Sequence, residues 1–203
     1  MNKSNEFYYH GSPCSIDQFD YAFTGRGLDQ HGPGFYFSSS KSGACAHTDV
    51  NDVVKEAESE ISPTLHTVRL NLKKPLHADH VQKMTASQVA RIMRCSPVLV
   101  DKLWDRVDVG SYGLEYCLSK VSKEYVWEDA RLLDILCRLY GDIFDEDCVK
   151  EFATAVRDVL GYDGATYLHE KQNIMVAWFP DQIEIVKRTP MRQPDEDLEP
   201  CVR

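Results

Sequence analysis

Two short segments carry the residues best suited to chemistry. The first is Phe7-Tyr8-Tyr9-His10-Gly11-Ser12. An aromatic run that ends in His-Gly-Ser and is followed by Pro13 reads as a strand stopping in a turn. At such an end His10 offers an imidazole nitrogen, and Gly11, with no Cβ, lets a ligand approach the main chain closely. The second is Gly32-Pro33-Gly34-Phe35-Tyr36-Phe37-Ser38. A glycine-rich turn feeds a strand whose pleat sends Phe35 and Phe37 to one face and Tyr36 to the other. With both phenylalanines in a core, Tyr36 faces a cleft where its ring can stack on a flat heterocycle. The expectation is that His10 and Tyr36 face one cleft with Gly11 between them. A structural histidine and a turn feeding a core strand account for the same residues without any ligand.

Strands and a block of helices must position these segments. Thr64 to Leu72 mostly alternates apolar with polar residues and predicts a strand that Pro75 ends. From Thr85, a plausible N-cap, Val89, Ile92 and Met93 fall on one helical face, and Ser96-Pro97 opens a second helix. Helical spacing continues through about 114–121, 127–140 and 147–160. The acidic run Asp145-Glu146-Asp147 suits a helix N-terminus. The chain returns to strand at Ala165–Leu168, Ile174–Phe179 and Gln182–Val186, separated from the helices by the turn Gly161-Tyr162-Asp163-Gly164. This predicts an α+β domain over 1–190, with a split, mostly antiparallel sheet and a helical insertion at about 83–160. An acidic, proline-containing tail at 191–203 follows.

Composition narrows the function classes. The apolar share of 43% supplies a core, and the net charge of −9 argues against broad nucleic-acid binding, which needs clustered Lys and Arg. The seven cysteines are odd in number and include no C-x-x-C pair, so they read as reduced thiols, with no metal implied. The residues after Met1 lack the apolar run of a signal peptide, and no stretch is long enough to span a membrane. The expected compartment is the cytoplasm, either of the producing cell or of a host into which the protein is delivered as a toxin or effector.

In this order, the His-Gly and Gly-x-Gly-hydrophobic-Tyr-Phe motifs resemble the ADP-ribosyltransferase superfamily, on its His-Tyr branch that includes the poly(ADP-ribose) polymerases. The run Ser40-Lys41-Ser42-Gly43 resembles the Ser-Lys-Ser segment that follows in polymerase-type members. Three later segments resemble phage and bacterial members. They are Leu70-Asn71-Leu72-Lys73-Lys74-Pro75-Leu76, Gly161-Tyr162-Asp163-Gly164-Ala165 and Trp178-Phe179-Pro180-Asp181-Gln182-Ile183. The resemblance spans residues 7 to about 187 and implies a fold, a co-substrate and a site. The co-substrate is NAD, with no metal. His10 would hold a hydroxyl of the adenosine ribose, Gly11 the nicotinamide carboxamide, and Tyr36 would stack on the ring. Ser38 would support the carboxamide, with Ser12, Gly34 and Ser42 completing the pocket. Arg26 lies where it could meet the pyrophosphate and His31 at the mouth of the cleft, although a solvated loop residue explains either.

One departure bears on activity. The family's third signature is a Glu at the start of the strand that here begins at Ile174, and Ile174 stands in its place. Glu170 and Gln172 lie just upstream as candidate replacements. Ile at this position also occurs in mono-ADP-ribosylating members, so the resemblance implies transfer of a single ADP-ribose to a macromolecular acceptor; a protein is the expected acceptor, with a nucleic-acid base or a phosphate the open alternatives. Cys45 replaces a second aromatic that commonly packs on the nicotinamide. Two alternatives remain open: a module that binds NAD or ADP-ribose without transfer, and an interaction protein that uses the helical block to hold a partner.

Overall fold

The computed structural model describes residues 6–24, 32–48, 62–106, 113–144 and 148–191. Arg26, His31, the acidic run 145–147 and the tail from residue 192 lie outside them.

The strands are β1 (Tyr8–Ser12), β2 (Phe35–Ser38), β3 (Thr64–Leu70), β4 (Leu76–His77), β5 (Gly164–His169), β6 (Gln172–Ala177) and β7 (Ile183–Pro190). They form one seven-stranded sheet in the order β4-β5-β6-β2-β1-β3-β7, antiparallel except for the β4–β5 pair. A short helix α1 (Lys41–Cys45) follows β2. The helical block comprises α2 (Ala86–Arg94), α3 (Pro97–Arg106), α4 (Gly113–Glu124), α5 (Leu132–Ile143) and α6 (Val149–Leu160), as the spacing predicts. No helix among the described residues is long and apolar enough to cross a membrane.

Local signals explain the boundaries. The Thr85 side chain accepts the Gln88 amide while Gln88 reaches back to the Thr85 amide, a reciprocal cap that fixes the start of α2. Helix α6 stops at Gly161, whose φ of 80° a β-carbon would oppose. After it, the Asp163 carboxylate accepts the amides of Lys73 and Lys74 at 2.7 and 2.8 Å, tying the helix exit to the end of β3.

The core has two parts. The larger lies between the helical block and the β5–β6 side of the sheet, with Ile92, Leu132, Leu139 and Phe152 packed towards Ala165, Val176 and Trp178. The smaller is built from Phe19, Phe35, Phe37, Val68 and Ala177 on the opposite face. Phe35 and Phe37 thus share a core face and Tyr36 packs on the other side, as the pleat requires.

Candidate functional site

The sheet is nearly divided between β1 and β2. They are antiparallel neighbours but pair at Tyr9↔Ser38 alone, whereas β1–β3 and β2–β6 pair along five and four residues. From His10 onward the β2 side of β1 has no strand partner among the described residues. A side chain bridges the seam: His10 Nδ1 donates to the Tyr36 carbonyl at 2.9 Å. Because a carbonyl only accepts, Nδ1 carries the hydrogen and Nε2 keeps its lone pair while the ring is neutral. Burial pushes His10 down to about 4, with His66 and His47 acting in the same direction and the Tyr36 carbonyl against it. The ring is therefore neutral at pH 7.

Here the structure corrects the expectation of a shared cleft face. His10 packs against Phe19 and Phe37, ring centroids 5.2 and 5.6 Å away, and so lies on the face of the smaller core. Tyr36 packs on the opposite face, against the helical side. The physical reason is register: Tyr9 sits opposite Ser38, so the alternation that places Ser38 and Tyr36 on one face places His10 on the other. The two residues meet through the Tyr36 carbonyl, not through their side chains. The Tyr36 hydroxyl donates back to the Gly32 carbonyl. Gly34 allows β2 to lie close to β6, since a β-carbon there would be 2.7 Å from Val176 and 2.9 Å from the Ala177 carbonyl.

The Tyr36 face of the seam gathers several of the predicted residues. Ser38 is buried, and its hydroxyl donates to Gln172 Oε1 at 2.8 Å while accepting the Ser40 amide at 3.0 Å. Ile174 lies directly across from Ser38 in the β2–β6 ladder. Gly43, in the first turns of α1, makes room for Gln172: a β-carbon at Gly43 would fall 1.9 Å from Gln172 Oε1. Ser42 is exposed and shares a hydrogen bond with the Ser40 hydroxyl at 2.8 Å. Lys41 lies over the Tyr9 ring at 5.4 Å.

The remaining candidates are placed differently. Ser12 is buried, and its hydroxyl accepts the Cys14 amide at 3.2 Å, closing the turn after β1. Glu170 is exposed at the tip of the β5–β6 hairpin, where His169 pairs with Gln172. Both turn residues, Glu170 and Lys171, have positive φ, 48° and 68°. A two-residue turn needs that geometry to follow the strand twist, and side-chain-bearing residues adopt it at a cost. Gln172, on the strand itself, is the one brought to Ser38.

Sequence reasoning missed two residues. His66 is fully buried on β3, directly opposite His10. Its place two residues before inward-facing Val68 was the signal that could have found it. Gly43 follows the Ser40-Lys41-Ser42 run, and no local signal there marks its contact with Gln172. One apolar cavity, lined by Gly32, Pro33, Leu136, Cys137, Val156 and Trp178, lies between the Gly32 turn and helices α5 and α6, away from the seam. Among the described residues no group of three or more His, Cys, Asp or Glu could hold a metal ion.

Compared with known proteins, the chain matches no family model, no curated protein and no solved structure.

Proposed function

We propose that this chain is an NAD-dependent mono-ADP-ribosyltransferase, moving one ADP-ribose from NAD to a macromolecular acceptor with release of nicotinamide. The observation that carries the reading is the seam between β1 and β2. Main-chain groups on a strand edge need partners. The nicotinamide carboxamide, with one N–H side and one carbonyl, supplies what a missing strand residue would. Gly11 carries no side chain of its own to hinder such an approach. Tyr36 and Ser38 are on the opposite face from His10, so the two ends of NAD would be read from different sides of the sheet.

In the reaction the bond between the nicotinamide nitrogen and the ribose C1′ breaks, and its electron pair leaves with the nicotinamide. The acceptor's nucleophilic atom bonds to C1′ and releases its proton to water, so that the products are the ADP-ribosylated acceptor, nicotinamide and one proton. The sugar passes through a cation-like state that nearby negative charge stabilises. Gln172 Oε1, held by Ser38 against Gly43 two residues before Ile174, would supply a carbonyl dipole in place of the missing carboxylate. A dipole stabilises a cation less than a full charge does, which fits slow transfer of a single unit. The acidic chain, with net charge −9, fits a protein acceptor better than a nucleic acid.

A second reading, an NAD- or ADP-ribose-binding module, is favoured by Ile174 lying across from Ser38 with no carboxylate beside it. Incubation with NAD labelled in the adenylate portion, in the presence of host extract, separates the two. Stable label on macromolecules together with free nicotinamide supports transfer. Reversible binding without either product supports the module. Neither outcome leaves an interaction protein built on the helical block.

A further inference from the structure

We propose that the bond between His66 and Ile16 is an acid-operated latch: a proton on the His66 ring lifts the middle of segment 13–20 off the sheet while the rest of the fold stays closed. This segment runs from the end of β1 to the short helical turn at Tyr21–Phe23, and its Ile16 and Phe19 pack on the smaller core. The latch needs no NAD.

His66 is fully buried on β3, and its Nε2 receives the Ile16 amide at 3.0 Å. An N–H only donates, so Nε2 must hold a lone pair and Nδ1 the hydrogen of the neutral ring. That lone pair is also where an acid proton must go. One proton therefore turns the acceptor into a donor facing a donor, and the bond is lost. His10 behaves differently. Its Nδ1 already donates to the Tyr36 carbonyl, and its proton would arrive on Nε2, so that bond survives. Of the two histidines, His66 is the one that couples a proton to a broken contact.

The neighbours oppose a positive charge on this ring while the segment is closed. His10 lies opposite it on β1, with ring centroids 6.1 Å apart, and Arg188 lies opposite it on β7. His47, in the turn after α1, acts on His10 in the same sense. Asp17 stands 3.5 Å from Arg188, but its side chain is 98% exposed and water weakens its pull. Burial, aided by Arg188, holds His66 below the ordinary histidine value, against the nearby main chain of His10, Ile16 and Thr64. Once the segment lifts, water reaches the ring and it takes its proton at the ordinary value of about 6.5. Opening and proton uptake are thus linked.

The segment is also placed to open locally. Its ends are pinned by bonds that acid leaves alone: the Pro13 carbonyl accepts the Ser62 amide at 2.9 Å, and the Tyr21 hydroxyl donates to the Trp178 carbonyl at 2.8 Å. Between them Ser15, Asp17 and Gln18 are exposed and Ile16 is half-buried, so lifting this stretch uncovers little apolar surface. Arg188 donates to the carbonyls of Ile16 and Asp17 at 2.8 and 2.9 Å. A guanidinium keeps its charge throughout. The Arg188 bonds therefore set how often the segment opens, and His66 sets how that frequency depends on pH.

Hydrogen exchange at the Ile16 amide, corrected for the intrinsic pH dependence of exchange, measures that frequency. With one proton taken up on opening, protection should fall by up to about tenfold for each pH unit below about 6.5. Amides of β6 and α5 should keep their protection over the same range. His66→Gln offers Ile16 a carbonyl oxygen that does not titrate, and should remove one proton's worth of the dependence. Imidazole nitrogen NMR on wild type gives a second readout, which stands if His66→Gln fails to fold. Ile16 protection should reach its floor where the His66 ring becomes protonated. An unchanged pH dependence in His66→Gln overturns the latch and leaves His10 or a carboxylate as the sensor. Protection lost together at Ile16, β6 and α5 overturns it in favour of global unfolding. A His66 ring that stays neutral until the helical block unfolds overturns it as well.

Discussion

The half-sheet β4-β5-β6-β2 and the half-sheet β1-β3-β7 meet at one residue pair, and beyond the apolar packing both share, they differ in what else lies on them. The first packs beneath the helical block, where Leu132, Ile135, Leu139 and Ile92 are fully buried among other apolar side chains. The second carries a row of nitrogen-bearing side chains, His10, His66 and Arg188, paired across three neighbouring strands. Arg188 donates to the carbonyls of Ile16 and Asp17 at 2.8 and 2.9 Å, and His66 takes the Ile16 amide, so the segment 13–20 is strapped over this half by polar bonds. An apolar core depends on volume, and its parts are interchangeable within limits. A polar row depends on each donor meeting its acceptor. The contrast sets volume against pairing: one half tolerates exchange of similar side chains, and the other does not.

The largest effect should come from the helical half. Leu139→Ala removes a fully buried side chain and should cost about 2–5 kcal/mol in denaturant unfolding. NAD affinity of the folded protein should stay within about twofold, and a parallel fall in affinity would show that the halves are coupled.

Acid should strike the other half. His10 and His66 are neutral when folded, and the unfolded chain takes up protons below about pH 6.5. The stabilisation is complete above that pH and is lost as pH falls through the folded value of about 4 for His10. His10 alone accounts for at most about 3 kcal/mol. Protonation would also set His10 and His66 against each other and against His47 and Arg188, and among the described residues the Asp17 carboxylate pairs with Arg188. Thermal midpoints between pH 7 and pH 4 measure this, and a His10→Gln variant should show a shallower decline.

Gly43→Ala is the sharpest probe of the Tyr36 face. Alanine is favoured over glycine inside a helix by about 1 kcal/mol, which offsets local crowding. The new methyl must displace Gln172 from Ser38. Thermal stability should change little while transfer falls roughly tenfold, the scale of about 1–2 kcal/mol for one positioned neutral group. Unchanged transfer would remove Gln172 from the site.

Tyr36→Phe keeps the ring and deletes the hydroxyl bond to Gly32, so it should cost about 1 kcal/mol in unfolding with little change in NAD affinity. The smallest effect should follow Glu170→Gln. On an exposed turn its charge acts through water, and transfer should change less than about fivefold. A thirtyfold loss would instead make Glu170 the missing acid.

Much of the framework was legible because it rests on local rules. The alternation of Phe35, Tyr36 and Phe37, the cap at Thr85, the face formed by Val89, Ile92 and Met93, and the stop at Gly161 all depend on neighbours a few residues away. The relation between His10 and Tyr36 was not legible, because strand register decides which faces agree and no local signal sets the register of β1 against β2. The Gln172–Gly43 contact was hidden for the same reason. It joins a strand to a short helix made much earlier in the chain, and only the assembled sheet brings them together. His66 looked like one polar residue in an alternating strand until its partner across the ladder was known.

Strand order also sets a timetable for synthesis. β3 is flanked by β1, made before it, and β7, whose first residue is about 110 residues further along the chain. At about 5–20 residues per second, β3 leaves the ribosome roughly 5–25 s before the strand that covers its outer edge. During that interval Leu65 to Leu70 forms an open ladder of main-chain groups beside apolar side chains, the kind of edge that recruits other nascent chains. Arg188, which anchors the strap over His66, arrives with the last strand. The half that carries the polar row is therefore finished after the helical block, and a cell short of chaperone capacity would lose the pairing of that row before it lost the helical block.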